Sequence, residues 1–224
     1  MSSTILSTKK LTASQKELLR GSRITVFDYD AIAIEYLHFE WLSESVHDFY
    51  VFTSQNAVKS VLKKNQFSNT AEKRALCVGT KTRHVLESNG FRIIETAQSA
   101  SDLAKIILKK YKKNSFLFFS GNLRREELPK TLMENNIRYK EIQVYRTTFN
   151  TKKFDRSFEG VLFFSPSGVC SYMEKNSLNH GIAFCIGTTT AKEAKKHTDK
   201  IIISNIPTVE ELLATTIKNY SIND

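Results

Sequence analysis

The stretch FYVFTSQNAVKSVLKKN at residues 49–65 recurs in altered form as GVLFFSPSGVCSYMEKN at residues 160–176. Ser54 of the first copy corresponds to Ser165 of the second. Each copy begins with a short run of aromatic and branched apolar residues, continues through a polar turn, and ends with apolar residues at helical spacing. This succession predicts a strand, a turn and a helix in each copy.

Two further pairs of segments repeat in the same order along the chain. Gly79 of LCVGTKTRHVLESNGFRIIE corresponds to Gly187 of FCIGTTTAKEAKKHTDKIII. Leu103 of SASDLAKIILKKY corresponds to Leu212 of IPTVEELLATTIKNY. Three collinear matches at nearly constant separation indicate a duplicated structural unit. Because strands alternate with helices in it, each copy is expected to form a parallel sheet.

The first copy continues into FLFFSGNLRREELPKTLMENNIRYKEIQVY at residues 116–145, which has no counterpart after the second copy. Its counterpart is the N-terminal segment TILSTKKLTASQKELLRGSRITVFDY at residues 4–29, in which Ile24 is placed like Ile137. The predicted fold class is therefore α/β, with two similar domains, each a parallel sheet flanked by helices. Two crossing strands join the domains, and we expect a cleft between them.

The repeat also predicts where the domains and helices begin and end. The expected parts are a discontinuous domain of residues 1–33 plus 150–224, a continuous domain of residues 40–144, and connections at 34–39 and 145–149. The predicted helix starts are Ser54, Ser165 with Pro166, and Thr208 with Glu211. The predicted helix ends are Lys64-Asn65 and Asn89-Gly90. Phe39 and Trp41 are predicted core residues.

Composition sets limits on the class of protein. Hydrophobic residues make up 41% and charged residues 25% of the 224 residues, as in an ordinary globular protein. No apolar run approaches the roughly 18 residues of a membrane helix, and the first residues lack a signal-peptide pattern, so we expect a cytoplasmic protein without a membrane partner. The three cysteines, Cys77, Cys170 and Cys185, suit reduced core thiols.

The formal net charge of +10 indicates a partner that carries negative charge. The basic residues are dispersed as pairs instead of forming one stripe with aromatic residues, which argues against nucleic acid. Polar turns that open helices at the carboxyl ends of parallel strands are natural anion sites, because they present backbone N–H groups. The six such turns are Thr8–Thr12, Thr53–Asn56, Gly79–Thr82, Ser120–Arg124, Ser165–Gly168 and Gly187–Thr190.

Familiar catalytic motifs are missing from the sequence. No histidine stands at metal-ligand spacing from another histidine or a cysteine, and neither a dinucleotide fingerprint, a P-loop nor a GxSxG elbow occurs. We therefore expect no metal and no cofactor. Tyr145 lies at one of the two crossings, where its phenol either donates a hydrogen bond to a departing oxygen or packs at the hinge.

The segments VFTSQNAV, ALCVGTKTRHVLESNGF, SGNLRREEL, QVYRTTF, VLFFSPSGV and CIGTTTAKEA together resemble the uroporphyrinogen-III synthase family, in the family's order. The resemblance covers nearly the whole chain. It implies a cofactor-independent lyase that cyclises hydroxymethylbilane, with loss of water and inversion of ring D through a spiro intermediate, in heme or siroheme biosynthesis. The substrate, a linear tetrapyrrole with eight carboxylates, would lie between the lobes of a monomer.

The resemblance also implies roles for particular residues. Tyr145 matches the family tyrosine that assists departure of the hydroxyl. Relatives usually have Thr-Arg where this chain has Thr8-Lys9, which loses bidentate carboxylate geometry, and Arg-Gly where it has Ser120-Gly121. The predicted substrate-binding residues are Thr8, Lys9, Thr53, Ser54, Asn56, Gly79, Thr82, Gly121, Ser165, Ser167, Gly187, Thr189 and Thr190.

Two alternatives belong to other classes of protein. A non-catalytic, two-lobed binding protein for a small polyanion would close on its ligand without forming a product. A nonspecific nucleic-acid binder would lose affinity steeply with salt. The second alternative ranks last, because aromatic stacking platforms are lacking.

Overall fold

The computed structural model describes residues 2–40, 47–63 and 72–221. The strands are β1 (Ser3–Ser7), β2 (Ile24–Asp28), β3 (Ile32–Tyr36), β4 (Phe49–Phe52), β5 (Arg74–Val78), β6 (Arg92–Ala97), β7 (Ser115–Gly121), β8 (Arg138–Phe149), β9 (Gly160–Phe163), β10 (Ile182–Cys185) and β11 (Ile201–Ile203). The helices are α1 (Ala13–Glu17), α2 (Gln55–Lys63), α3 (Thr80–Glu87), α4 (Ala100–Lys110), α5 (Glu127–Glu134), α6 (Pro166–Met173), α7 (Thr188–Ala194) and α8 (Val209–Ser221). Trp41 and the helix end predicted at Lys64-Asn65 lie outside the described residues.

The chain divides into two compact units. Unit 1 consists of residues 1–33 and 148–224, and unit 2 consists of residues 34–147. Strands β3 and β8 each run across a boundary between the units, and they are neighbours in the order of one sheet. The polypeptide thus leaves unit 1 along β3 and returns to it along β8.

The strand orders of the two units correspond. Unit 2 has the order β8-β7-β4-β5-β6, with β3 beyond β8, and unit 1 has the order β2-β1-β9-β10-β11. Every pair within these two five-strand sets is parallel. The N-terminal strands β1 and β2 take the places beside β9 that β7 and β8 take beside β4. The α/β fold with two similar, helix-flanked parallel sheets is confirmed.

The central strands of each sheet are buried on both faces, which explains the continuous apolar runs in the sequence, whereas β2 and β3 alternate with exposed residues. In β7, Phe116 and Phe118 enter one core cluster while Leu117 and Phe119 enter the other, as the two-residue period of a strand requires. In unit 1, Val161 of β9 belongs to a different cluster from its neighbour Leu162. Phe39, predicted as core, is 6% exposed and packs in unit 2.

Several helices begin where the sequence predicts. Ser165 caps α6 by accepting a hydrogen bond from the Gly168 amide, and Pro166 takes the first helical position. The Thr208 hydroxyl accepts a hydrogen bond of 3.2 Å from the Glu211 amide at the start of α8. Beyond the end of α3, Gly90 has a φ of 76°, a conformation that favours glycine.

The three cysteines are free thiols. Cys77 and Cys185 are buried, and burial raises the pKa of Cys185 to about 12. Cys170 is partly exposed, and its Sγ lies 3.5 Å from Oε1 of Glu193. The thiols of Cys77 and Cys185 therefore contribute to core packing.

The interior position of β1 generates a stability prediction. Leu6 on β1 is 1% exposed and packs in the core of unit 1, so Leu6→Ala is expected to lower the free energy of unfolding by about 2–5 kcal/mol. Leu18→Ala removes the same atoms from a side chain that is 49% exposed. This variant is expected to change the free energy of unfolding by less than about 0.5 kcal/mol. Urea titration followed by circular dichroism measures both. Equal effects would contradict the interior placement of β1.

Candidate active site

The predicted polar turns follow the carboxyl ends of parallel strands. In unit 2 these strands are β4, β5 and β7, and in unit 1 they are β1, β9 and β10. Because the strands within each sheet are parallel, their carboxyl ends lie at one edge of that sheet. Ligands of open α/β sheets bind at this edge.

Tyr145 lies on β8 directly after a break in the pairing of β8 with β7. Ser120 of β7 is paired with Gln143, but the next residue, Gly121, is paired with Tyr145, so Val144 is an extra residue on β8. A bulge of this kind changes the direction in which the following side chain points. Ile142, Val144 and Tyr145 accordingly all pack against the same core cluster, although regular alternation would place Tyr145 on the opposite face.

Gly121 makes room for the Tyr145 ring. A Cβ atom at residue 121 would lie 2.3 Å from Cζ of Tyr145 and 2.6 and 2.7 Å from its two Cε atoms. The ring therefore covers the space in which any other residue would have a side chain. The structure thus brings together Tyr145 and Gly121, two residues that the sequence singles out for different reasons.

Two neighbouring contacts hold β8 around Tyr145, and sequence reasoning missed both. The Asn122 side chain accepts a hydrogen bond of 2.8 Å from the Thr147 amide and donates one of 3.1 Å to the Thr147 carbonyl, which prolongs the ladder beyond Gly121. The Ser60 hydroxyl donates to the Val144 carbonyl. The sequence feature that could have pointed to the contact of Asn122 is its position directly after Gly121. Ser60 had a matching serine in the repeat, but nothing local indicated its acceptor.

The turn at Ser120–Arg124 differs from the prediction that it opens a helix. Ser120 and Gly121 still belong to β7, and α5 begins only at Glu127. Arg124 Nε binds Glu141 Oε1, and Arg124 Nη1 lies 2.6 Å from Glu126 Oε1. The hydrogen bond to Glu141 is the main cause that raises the pKa of Arg124. This guanidinium is therefore paired within the protein.

The other predicted residues of unit 2 lie at or just before the starts of α2 and α3. Thr53, Ser54 and Asn56 are half-buried, and the Ser54 hydroxyl accepts a hydrogen bond of 3.1 Å from the Asn56 amide. Gly79 is the N-cap of α3 and has a φ of 83°. Thr82 is 5% exposed.

In unit 1, Thr8 lies beside the start of α6. Its hydroxyl donates a hydrogen bond of 2.7 Å to the Leu162 carbonyl and ties the end of β1 to β9. A Cβ atom at Gly168 would lie 3.4 Å from Oγ1 of Thr8 and from Oγ of Ser165. Ser165 Oγ is 3.0 Å from Ser167 Oγ. The structure therefore brings together Thr8, Ser165 and Ser167. All three follow the carboxyl ends of strands.

The remaining predicted residues of unit 1 differ in exposure. Lys9 is exposed, as is Thr189, whereas Thr190 is only 3% exposed. Gly187 is the N-cap of α7 in an extended conformation, with a φ of 179°. Like Gly79, it has no side chain that could accept a hydrogen bond from the first turn of its helix.

Metal-ligating side chains do not cluster in the described part of the chain. Among residues 2–40, 47–63 and 72–221, no group of three or more His, Cys, Asp or Glu side chains could hold a metal ion. None of the helices in these ranges has the length and apolar character required to cross a membrane.

The contact between Gly121 and Tyr145 generates a prediction about packing. Gly121→Ala is expected to displace the Tyr145 ring and to lower the free energy of unfolding by about 1–3 kcal/mol, because the new methyl group would occupy the place of the ring. The control is Gly187→Ala, whose nearest heavy atom outside the chain neighbours would be Pro207 Cβ at 3.9 Å. Urea titration and the NMR shifts of labelled tyrosine rings measure both effects. An unmoved Tyr145 ring in Gly121→Ala would contradict the geometry.

Solved structures of other proteins resemble this chain. A uroporphyrinogen-III synthetase from Helicobacter pylori has a similar structure, with a TM-score of 0.68 and 18% identity over 97% of this chain and 99% of its own. A mutant uroporphyrinogen III synthase from Thermus thermophilus has a TM-score of 0.71 and 14% identity over 99% of this chain and 100% of its own. No curated protein matches the sequence significantly. The family model described as "Uroporphyrinogen-III synthase HemD" matches residues 16–214, and the chain therefore belongs to the uroporphyrinogen-III synthase family.

Proposed function

We propose that this protein cyclises hydroxymethylbilane to uroporphyrinogen III, with loss of water and inversion of ring D. The observation that carries the proposal is the placement of Tyr145 on Gly121, directly after the bulge in β8. The bulge brings Tyr145 to the same core cluster as Val144, and the absence of a side chain at Gly121 leaves room for its ring. Membership of the synthase family supplies the reaction for which such a phenol is suited.

The proposed role of Tyr145 is to assist departure of the terminal hydroxyl. The bond between the terminal carbon and this hydroxyl breaks, and the hydroxyl leaves as water after accepting a hydrogen bond and a proton. The positive charge that develops on the substrate drives attack by ring D, which forms the spiro intermediate. One bond of this intermediate then breaks, ring D closes the macrocycle in the inverted orientation through its free α carbon, and that carbon loses a proton, which balances the proton taken up by the departing water. Orientation of the substrate then contributes much of the rate enhancement.

The substrate carboxylates are expected to bind at helix N-termini, because free N–H groups and the helix dipole favour anions there. The helix starts are not equivalent. At α6 the Ser165 hydroxyl already accepts from the Gly168 amide, whereas α3 and α7 begin at Gly79 and Gly187, which have no capping side chain. The glycine turns are therefore the stronger candidates for carboxylate contacts.

The net charge of +10 supports the same substrate class, since it favours encounter with a polyanion. In the unit 1 turn, exposed Lys9 is a further candidate for a carboxylate contact. We also propose that the protein acts in the cytoplasm, as a monomer, without a cofactor and without nucleic acid. Family membership favours the enzyme over the non-catalytic polyanion-binding protein.

The role of Tyr145 is tested by removing only its hydroxyl. Tyr145→Phe keeps the ring that packs on Gly121 and is expected to lower kcat by about 100-fold while the fold stays intact. Formation of type III uroporphyrin, measured after oxidation of the product, gives the rate. Circular dichroism checks the fold.

Tyr139→Phe is the matched control on the same strand. Tyr139 packs against the opposite core cluster, and its hydroxyl donates a long hydrogen bond of 3.5 Å to the Pro129 carbonyl. This variant is expected to keep kcat within about twofold of the wild-type value. Unchanged turnover in Tyr145→Phe would remove Tyr145 from the mechanism.

A further inference from the structure

The carbonyl of Val144, the residue before Tyr145, accepts two hydrogen bonds. One comes from the Ser60 hydroxyl on α2, and the other comes from the Leu37 amide, at 2.9 Å. Ser60 is 1% exposed and Val144 is fully buried. Both lone pairs of this carbonyl oxygen are therefore engaged within unit 2.

Unit 1 contains the counterpart of this arrangement. The Ser171 hydroxyl on α6 donates a hydrogen bond of 2.6 Å to the Ala31 carbonyl, which also accepts one of 2.8 Å from the Asn150 amide. Ser60 and Ser171 occupy corresponding positions in the two copies of the first repeated stretch. Ser171 and Ala31 are both fully buried. The serine contact is thus a repeated feature, one copy for each segment that crosses between the units.

The two copies differ in the residue after the anchored carbonyl. After Ala31 comes Ile32, the first residue of β3, whereas after Val144 comes Tyr145. The Val144 carbonyl and the Tyr145 amide belong to one rigid planar peptide group. Fixing the carbonyl therefore fixes the direction in which the chain enters Tyr145.

The direction of the chain at Tyr145 depends on the Val144 peptide, because the bulge interrupts the pairing of β8 with β7 at this point. In a regular ladder, pairing with β7 would orient Val144 and Tyr145, but Val144 is the extra residue and has no partner residue in the β7 register. Where that pairing is missing, the Ser60 hydroxyl and the Leu37 amide hold the Val144 carbonyl. The Ser60 contact supports the strand from α2, an element that enters the same core cluster as Tyr145.

We propose that Ser60 is a positioning residue for the cyclisation, which it serves by holding the Val144 peptide so that the Tyr145 phenol points at the departing hydroxyl. The inference rests on the proposed function. Because Ser60 is buried, it acts through Tyr145 and does not contact the substrate.

The test compares Ser60→Ala with Ser171→Ala in the full chain, using hydroxymethylbilane as substrate and the rate of type III formation as readout. Ser60→Ala is expected to lower kcat about tenfold and to leave KM within about twofold, because the phenol is misdirected while the binding turns are unchanged. Ser171→Ala removes the corresponding hydrogen bond and is expected to keep kcat within about twofold. Both variants are expected to lower the melting temperature by about 2–4 °C.

A double-mutant cycle separates positioning from a general loss of stability. In the Tyr145→Phe background, Ser60→Ala is expected to change kcat by less than about twofold, because the group that it orients is already missing. If Ser60→Ala does not fold, Ser60→Cys replaces it. The thiol is somewhat larger than the hydroxyl and donates only weakly, so kcat is again expected to fall below the wild-type value.

Three results would overturn the positioning role while the wild type makes type III product. They are an unchanged kcat in the Ser60 variant, an equal loss of kcat in Ser171→Ala, and a full additional loss in the Tyr145→Phe background. Formation of type I product alone by the folded wild type would instead overturn the proposed function.

Discussion

The interior position of β1 in the sheet of unit 1 is the constraint on which the rest of the architecture depends. The strand is hydrogen-bonded to β2 on one side and to β9 on the other, and β9 begins only at Gly160. Unit 1 is therefore built from both ends of the polypeptide. The chain must leave this unit after β2 and return to it before β9, which it does through β3 and β8.

The return through β8 explains the position of Tyr145. β8 continues from unit 2 into unit 1, and its pairing with β7 shifts by one residue at the bulge. Tyr145 is the residue that follows this bulge. Gly121 leaves space for the ring, and Asn122 continues the ladder by binding Thr147. The equivalent crossing at β3 has the serine anchor at Ala31 but continues with Ile32. The duplicated scaffold thus places a phenol directly after the anchored carbonyl at only one of its two crossings.

Much of the fold could be predicted because it is encoded in local patterns that occur twice. The alternation of apolar runs and polar turns indicated the strands and helices, and the counterpart of residues 116–145 at the N-terminus predicted that β1 and β2 join the sheet of the second copy. Ser165 and Pro166 indicated the start of α6 because capping involves only neighbouring residues. The same local reasoning failed after Gly121, where Arg124 forms ion pairs and α5 begins at Glu127.

The candidate site was less accessible to sequence reasoning, because its geometry depends on contacts between distant segments. The bulge is a property of the pairing of β7 with β8, and neither strand shows it alone. The Ser60 hydroxyl meets the carbonyl of Val144, which lies far along the chain. Repetition of a serine at residues 60 and 171 was visible in the sequence, but serine side chains bind many acceptors, so the spacing did not identify these carbonyls.

The central claim is that this scaffold directs cyclisation of the bilane with inversion of the last ring. The most direct test supplies enzymatically generated hydroxymethylbilane to the purified, metal-free protein, oxidises the products and separates the type I and type III uroporphyrin isomers. The uncatalysed reaction gives type I. We expect a product enriched in type III, and type I alone from a folded sample would show that the protein does not invert ring D.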